Sequence, residues 1–532
     1  MVELSDFVKG RIQVPTPLNG DAYTVAGEAL ASDQAREKSV YGLSFRKSPA
    51  QAEDLKDFCH DDRMVFYGLS EYIRNNLTKP ITKEDVDAAE GFMATAHAFG
   101  GPLNFDRKVW DRVIEECGGY LPLKIEALPE GSTFYPGEVP VQVTSLKEGF
   151  GEIAALVEAN LVGMVSIAST RATMERHLLE RMKDYAREDD SAATDAEILF
   201  RAQLMIHDFG MRASSSSEES EVLGKAHLLS FPGTDTFGAA YQAFVLNDNQ
   251  RVGSSVLALA HRTVQGANTQ GAAFAQIRKA AGPGGIASYV ADCYDFHAAI
   301  RDEILPMALE ASRTDNAILV PRPDSGNYLE NIMYIVAVAK ENGLYKEQAN
   351  GRAAMTNMRF IQGDSMNWDK IHTAMDELRD NGYSPVGCGI FGVGGWLRNT
   401  PTRDTLSVAY KLMAKGEDEE SVVKLSDTRI KMSVPGPVYT LRGQGADHPS
   451  TVMQYEDGHA GQNALVTYYD GAIAGNEKFG APCLEKFSTL QERTVKGFDA
   501  APKYQRVLSD EVMQIQNTTL ALHGRSLTDY KY

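Results

Sequence analysis

Cysteine is scarce in this 532-residue chain: five, at positions 59, 117, 293, 388 and 483, far apart, odd in number and without CxxC or zinc-type spacing. A disulfide scaffold is excluded, and the five read as reduced packing residues of a cytoplasmic protein. Positive charge is short as well. The 53 lysines and arginines face 72 aspartates and glutamates, a formal net charge of -19, whereas nucleic acid calls for a basic face. Such a protein binds anions only where Arg and Lys cluster locally, or where a divalent metal sits between carboxylates and the anion. No uncharged apolar run reaches eighteen residues. The nearest, "IAALVEANLVGMVSIAS" at 153–169, carries Glu158 and Asn160 and reads as a buried helix, so no membrane partner is expected. The first residues, "MVELSDFVKGRIQV", lack the charged-then-apolar pattern of a signal peptide.

What is present is a globular composition, 43% hydrophobic and 23% charged, in a chain longer than one core usually supports. "LKIEALPEGSTFYPGEVPVQVTS" alternates apolar and polar residues between Pro and Gly turns and predicts short antiparallel strands. From 151 to about 187 the period is helical, and a polar loop follows to 195. Then a unit repeats: a short apolar strand, a polar end, a helix-period segment. The strand ends are His207–Asp208, Asp235, His261, Asp292 with Asp295, Arg322 with Asp324, Asp364, and Gly394–Gly395, spaced 26 to 40 residues apart. This is the length of a βα unit. A TIM-like, incomplete or irregular α/β barrel over 151–431 is predicted, with its site at the C-terminal strand ends. Beyond 432, "GPVYTLRGQG" and "NALVTYYDGAIAG" return to strand-and-turn character. Residues 1–150 with 432–532 are therefore read as a second, antiparallel-strand-containing α+β domain.

The strand ends suggest chemistry, each with a plainer reading beside it. In "FGVGGWLRNTPTRD" (391–404) the glycine pair lets backbone N–H groups approach an anion, and Arg398 and Arg403 follow within ten residues; the pattern also suits a turn before a helix. Asp292, Asp324 and Asp364 would repel one another on a common rim unless a magnesium ion or a polyol partners them, yet Asp before a helix is a frequent N-cap. Their alignment with His261, Arg322 and a glycine pair favours a phosphorylated sugar. His261 closes an apolar run, either as a structural histidine or as a phosphate ligand and phosphoryl acceptor. Phe209 is a core residue or a stacking surface for a flat ring.

"HDFGMRASSS", "GTDTFGAA", "VPRPDSGN", "IQGDS" and "FGVGG...TRD", in this order, together with "NGDAYTV", "STRATMERHLLERM" and "SVAYKL", resemble the nicotinamide phosphoribosyltransferase family of type II phosphoribosyltransferases over roughly residues 20–430. The resemblance implies transfer of phosphoribose from phosphoribosyl pyrophosphate to nicotinamide in NAD salvage, by a homodimer with shared sites. It implies a ring stacked between Phe209 and a partner's tyrosine, matched by Tyr23, and a carboxamide held by Asp235 and Arg322. Arg212, His261 and Arg322 would face the diphosphate; Asp292 and Asp324 would hold magnesium or ribose hydroxyls; Gly363 and Asp364 would hold the ribose. Gly394, Gly395 and Arg403 would grip the 5-phosphate, helped by Lys411 and Lys424. Family members couple turnover to ATP through a phosphohistidine, here His261, but Ala260 and Asn367 stand where acidic residues are expected. Nicotinate phosphoribosyltransferase and a non-catalytic binding or signalling protein on the same scaffold are the alternatives. No rim lysine ends a strand, so a Schiff-base aldolase is disfavoured.

Overall fold

The computed structural model describes residues 13–27, 37–95, 97–98, 101–426, 428, 431–443 and 445–526. Residues 1–12, which carry most of the stretch tested for a signal peptide, lie outside them. Seven short strands, Ile206–Asp208, Gly233–Thr234, Leu257–Ala258, Ile286–Val290, Ile318–Arg322, Phe360–Gln362 and Gly389–Val393, pair in parallel with their neighbours. Parallel bridges from Gly233 to Ser254 and from Leu319 to Met358 close the ring. The result is a seven-stranded parallel barrel, one strand short of the common eight.

The intervening segments are helical for the reason their spacing indicates. In Tyr328–Glu341 the residues Ile332, Ile335, Val336, Val338 and Ala339 are buried, a stripe with the three-to-four-residue period of an amphipathic helix packed on a sheet. Asn327 starts that helix by accepting the backbone amides of Leu329 and Glu330. Each fully buried leucine or isoleucine of this kind contributes roughly 1.5–3 kcal/mol. The low-complexity "SSSSEES" is put to similar use, with Ser216 capping the helix Ser217–Leu228 through the Glu219 amide.

An antiparallel sheet of six strands lies beside the barrel, in the order Glu420–Ser421, Val408–Lys415, Ser39–Phe45, Val141–Ser145, Leu123–Ala127 and Val466–Asp470. Both ends of the chain therefore enter it, and the strand at 466–470 pairs with 123–127. The strand Val408–Lys415, from the segment assigned by sequence to the barrel, is hydrogen-bonded to Ser39–Phe45 along its length. The C-terminal hairpin, Val438–Thr440 with Thr451–Met453, pairs as a two-stranded sheet of its own and is tied to the larger one by the Val438 amide, which donates to Gln142.

The helix Glu158–Asp189 lies against this framework. Together with Gly151–Leu156 it is the one segment among the described residues long and apolar enough to cross a membrane, but 67% of its apolar window is buried inside the protein. It runs to Asp189, so the polar loop predicted from 186 is shorter than its composition suggests. The five cysteines are all free.

Candidate active site

Most of the predicted rim residues meet at the C-terminal ends of the barrel strands. His261 begins the short helix His261–Gln265; its Nε2 lies 3.1 Å from Asp292 Oδ1 and its Nδ1 3.9 Å from Asp324 Oδ2. Asp292 follows Ile286–Val290, and its other oxygen accepts a hydrogen bond from Ser325 Oγ. Arg322 ends its strand and points a guanidinium nitrogen at Asp324 Oδ2, 3.4 Å away. Asp364, after Phe360–Gln362, accepts from its neighbour Ser365 at 3.1 Å and, among the described residues, from no other side chain.

The capping reading of these acids is answered by the residue three places on. Asp295 accepts the Ala298 amide, Asn327 the Leu329 and Glu330 amides, and Asn367 the Lys370 amide. Each helix after a rim acid is thus capped by position i+3, which leaves the acid at position i for the rim. Asn367, where the resemblance leads one to expect an acid, is one of these caps.

A second group faces the first. Asp235 Oδ1 takes hydrogen bonds from Ser255 Oγ and from the His207 ring, whose Nε2 is 3.1 Å away, while Oδ2 has no hydrogen-bond partner among the described residues. Burial alone would raise the Asp235 carboxyl, but the bonds from His207 and Ser255 and the charge of Arg322 hold it below the usual carboxylate range. It is therefore an anion at neutral pH. The field of Arg322 also connects the two groups across the rim.

Phe209 directly follows Ile206–Asp208, and its amide donates to Val393 O at 2.9 Å. A Cβ on Gly392 would overlap the Phe209 ring, and one on Gly363 would meet it at 3.0 Å. The glycines at these strand ends thus give the half-buried ring a seat inside the barrel mouth. Gly392→Ala is expected to cost about 1–3 kcal/mol in urea unfolding, as overpacked cores do. Gly395→Ala, whose Cβ would meet only the Asn399 side chain at 3.7 Å, should change stability by less than about 0.5 kcal/mol.

Other predicted residues lie elsewhere. Arg403 bonds to Val408 O and Asp404, Lys411 to Tyr410 O. With Lys424 and Arg46 they form a cationic cluster bordering the antiparallel sheet. The Lys411 ammonium is pushed below its ordinary range, first by burial; Glu158 opposes the shift, and Lys424, Arg46 and Arg403 add to it. Among the described residues these cations share no ion pair with the rim acids. Tyr23, on the short helix Ala22–Gly27, is 71% exposed and stacks on no ring among the described residues. Arg212, three residues after Phe209, is exposed, with no carboxylate partner among the described residues. Arg398, read from sequence as part of an anion cradle with Arg403, is fully buried and pairs with Asp208 at 2.8 Å, so it does not open onto the rim.

Residues 204–427, the whole ring of strands and rim loops, match the model of the nicotinate phosphoribosyltransferase (NAPRTase) family. This segment is a domain of that family. A nicotinamide phosphoribosyltransferase of Xanthomonas campestris pv. campestris (strain 8004) is 28% identical over 418 residues, covering 77% of this chain and 87% of the relative. One of Acinetobacter baylyi (strain ATCC 33305 / BD413 / ADP1) is 25% identical over 411 residues, 70% and 77% of the two chains. The crystal structure of human nicotinic acid phosphoribosyltransferase shares the fold, with a TM-score of 0.55 at 16% identity over 94% of this chain and 100% of that one.

Within the NAPRTase domain, sequence reasoning missed Ser255 and Ser325, hydroxyls that orient Asp235 and Asp292. It also missed the pairing of His207 with Asp235. None carries a local signal: serines are common in loops, and the partner of His207 is 28 residues away.

Proposed function

We propose that this chain transfers the phosphoribosyl group of phosphoribosyl pyrophosphate to the ring nitrogen of nicotinamide, releasing pyrophosphate and forming nicotinamide mononucleotide. The observation that carries the reading is the meeting, on one rim, of an aromatic seat with an ionised Asp235 and the His261–Asp292–Asp324–Arg322 cluster. The relatives' names support the reaction class, and the geometry of the site supports the proposed roles.

The pyridine ring stacks on Phe209. Its carboxamide NH2 donates to Asp235 Oδ2, the oxygen left over by His207 and Ser255. Nicotinate would set a carboxylate against that anion, which favours the amide over the acid despite the NAPRTase family name. Arg322 and Arg212 face the diphosphate, and Gly363 with Asp364 the ribose. Gly394 and Gly395 present backbone N–H groups to the 5-phosphate. No general base is needed, because the pyridine nitrogen carries a free lone pair. Bond breaking gives the ribose oxocarbenium character, so the arginines act by stabilising the departing charge while the seated ring is held in line.

Among the described residues no three His, Cys, Asp or Glu side chains are arranged to hold a metal. Two rim carboxylates fit a magnesium ion that arrives on the diphosphate, since magnesium is usually held by one or two carboxylates plus substrate phosphates. Asp292 and Asp324 would hold it, and it would neutralise charge on the leaving group.

A homodimer completes the reading. Tyr23 is exposed and would close the other face of the ring in a second copy. Arg403, Lys411 and Lys424, which among the described residues make no ion pair with the rim of their own chain, would serve the phosphates of the same neighbouring site. The free cysteines suit a cytoplasmic location.

The test is incubation with labelled nicotinamide or nicotinate, phosphoribosyl pyrophosphate and magnesium, with and without ATP, followed by product identification. Labelled nicotinamide mononucleotide is expected; nicotinate mononucleotide as the main product, or no pyrophosphate release, would overturn the proposal. If His261 carries a phosphoryl group from ATP, His261→Ala should abolish ATP stimulation and keep basal transfer. Full stimulation in that variant excludes the role.

A further inference from the structure

Below the Phe209 seat lies a group of ionised side chains that no substrate can reach. Arg171, Glu175, Asp208 and Arg398 are each 0% exposed at the side chain. Arg171 pairs with Glu175 at 2.6 Å, and Glu175 Oε1 lies 2.9 Å from His227 Nδ1. Asp208 Oδ2 accepts from Arg398 at 2.8 Å and from Thr236 Oγ1 at 2.8 Å, while Oδ1 accepts the Gly210 amide at 3.0 Å. Arg171 also donates to the Leu397 carbonyl. Two cations and two carboxylates balance.

Buried ion pairs are poor stabilisers compared with apolar packing, so their presence calls for a reason other than stability. The connectivity offers one. Arg398 belongs to the helix Gly395–Asn399, which begins at the second residue of the glycine pair. Its partner Asp208 precedes Phe209 and accepts the Asp235 amide on its own carbonyl, at 2.9 Å. Thr236, the residue after Asp235, bonds to the same carboxylate oxygen as Arg398. Gly210 lies so close under the guanidinium that any Cβ there would collide with it. Three rim loops, bearing the ring seat, the amide reader and the glycine pair, therefore converge on one buried carboxylate.

We infer that Arg398 is a positioning residue: through Asp208 it locks the Phe209 loop, the Asp235–Thr236 loop and the Gly394–Gly395 loop in one register, so that the flat ring and the sugar phosphate are presented to each other in line. Burial and the neighbouring Arg171 lower Arg398 to about 10, and its charge, with that of Arg171, holds Asp208 well below the usual carboxylate range. The pair stays ionised across the physiological range.

The inference rests on the proposed reaction for its kinetic arm only. Arg398→Met, similar in length but uncharged, should raise KM for both nicotinamide and phosphoribosyl pyrophosphate by about tenfold or more, because small misplacements of reacting groups are costly. Arg398→Lys, which keeps one charged donor, should restore part of that loss. Thr236→Val removes one hydroxyl and no charge; it should raise the nicotinamide KM about three- to tenfold and leave the phosphoribosyl pyrophosphate KM within about twofold. In hydrogen–deuterium exchange, which needs no turnover, Arg398→Met should speed exchange in 209–213, 235–240 and 394–399 together. Folded Arg398→Met with both KM values unchanged, or with faster exchange confined to 394–399, overturns the inference. Should Arg398→Met not fold, Thr236→Val decides: faster exchange in 209–213 as well as 235–240 supports the coupling, and no change in either ends it. If the wild-type protein turns over neither nicotinamide nor nicotinate, the exchange arm still judges the coupling and only the proposed reaction fails.

Discussion

Asp292→Asn is expected to lower kcat/KM for phosphoribosyl transfer by about 100- to 1000-fold, the usual loss when one preorganised electrostatic contact to a transition state is removed. The substitution is nearly isosteric. Its amide oxygen can still accept from Ser325, so the loop after Ile286–Val290 keeps its shape and the change is one of charge. Asp292 touches both His261 and Ser325; on the proposed reading its removal takes away one of the two carboxylates that would hold a magnesium diphosphate. Steady-state kinetics across a magnesium titration is the measurement. On the proposed reading, the magnesium concentration that gives half-maximal rate should rise in the variant, while the nicotinamide KM, which that reading assigns to Phe209 and Asp235, changes little. Asp295→Asn, three residues away and engaged in capping, is the control and should remain within about threefold, since Asn caps a helix about as well as Asp. Equal activity of the two variants would mean that the sugar diphosphate binds elsewhere.

The second large effect is on substrate choice. Asp235→Asn should reduce the preference for nicotinamide over nicotinate by about 100-fold, since setting like charges against each other in a desolvated pocket costs several kcal/mol and each 1.4 kcal/mol is about tenfold. In the wild type one carboxylate oxygen is occupied by His207 and Ser255 and the other has no partner among the described residues. The Asn variant can present either an amide oxygen or an amide NH2 there, so it accepts both substrates. Arg322 favours nicotinate in principle, because its charge reaches Asp235; Asp324, 3.4 Å away, partly neutralises it. Ratios of kcat/KM for the two substrates, measured side by side, decide the matter. An unchanged ratio places the carboxamide away from Asp235.

Much of this site could be read directly from the chain. The βα period, the polar strand ends and the late glycine pair located a rim, because a parallel barrel repeats a local pattern and its strands end where apolar residues give way. The capping ambiguity exists only for each acid taken alone. Read with the residue three places later, "DCYD", "DSGN" and "DSMN" each hold a rim acid and a separate cap, a pattern visible without coordinates. Arg398 was misread for a different reason. A charged residue near a glycine pair is ordinarily exposed, and nothing local announces a counter-ion 190 positions earlier.

Local order was thus a property of the amino-acid sequence by itself: where strands end, which residues cap helices, which loops carry acids and glycines, and that the net charge confines anion binding to a local cluster. These follow from interactions over a few residues, whose energies are set by neighbours in the chain. Tertiary structure decided the rest. It closed seven strands into a ring, seated Phe209 over glycines from two other strands, and left one oxygen of Asp235 open. It also buried Arg398 under the rim and set Arg403, Lys411 and Lys424 beside a sheet drawn from both ends of the chain. Those outcomes depend on charge pairing and volume exclusion between segments tens to hundreds of residues apart, which only the folded backbone brings into contact.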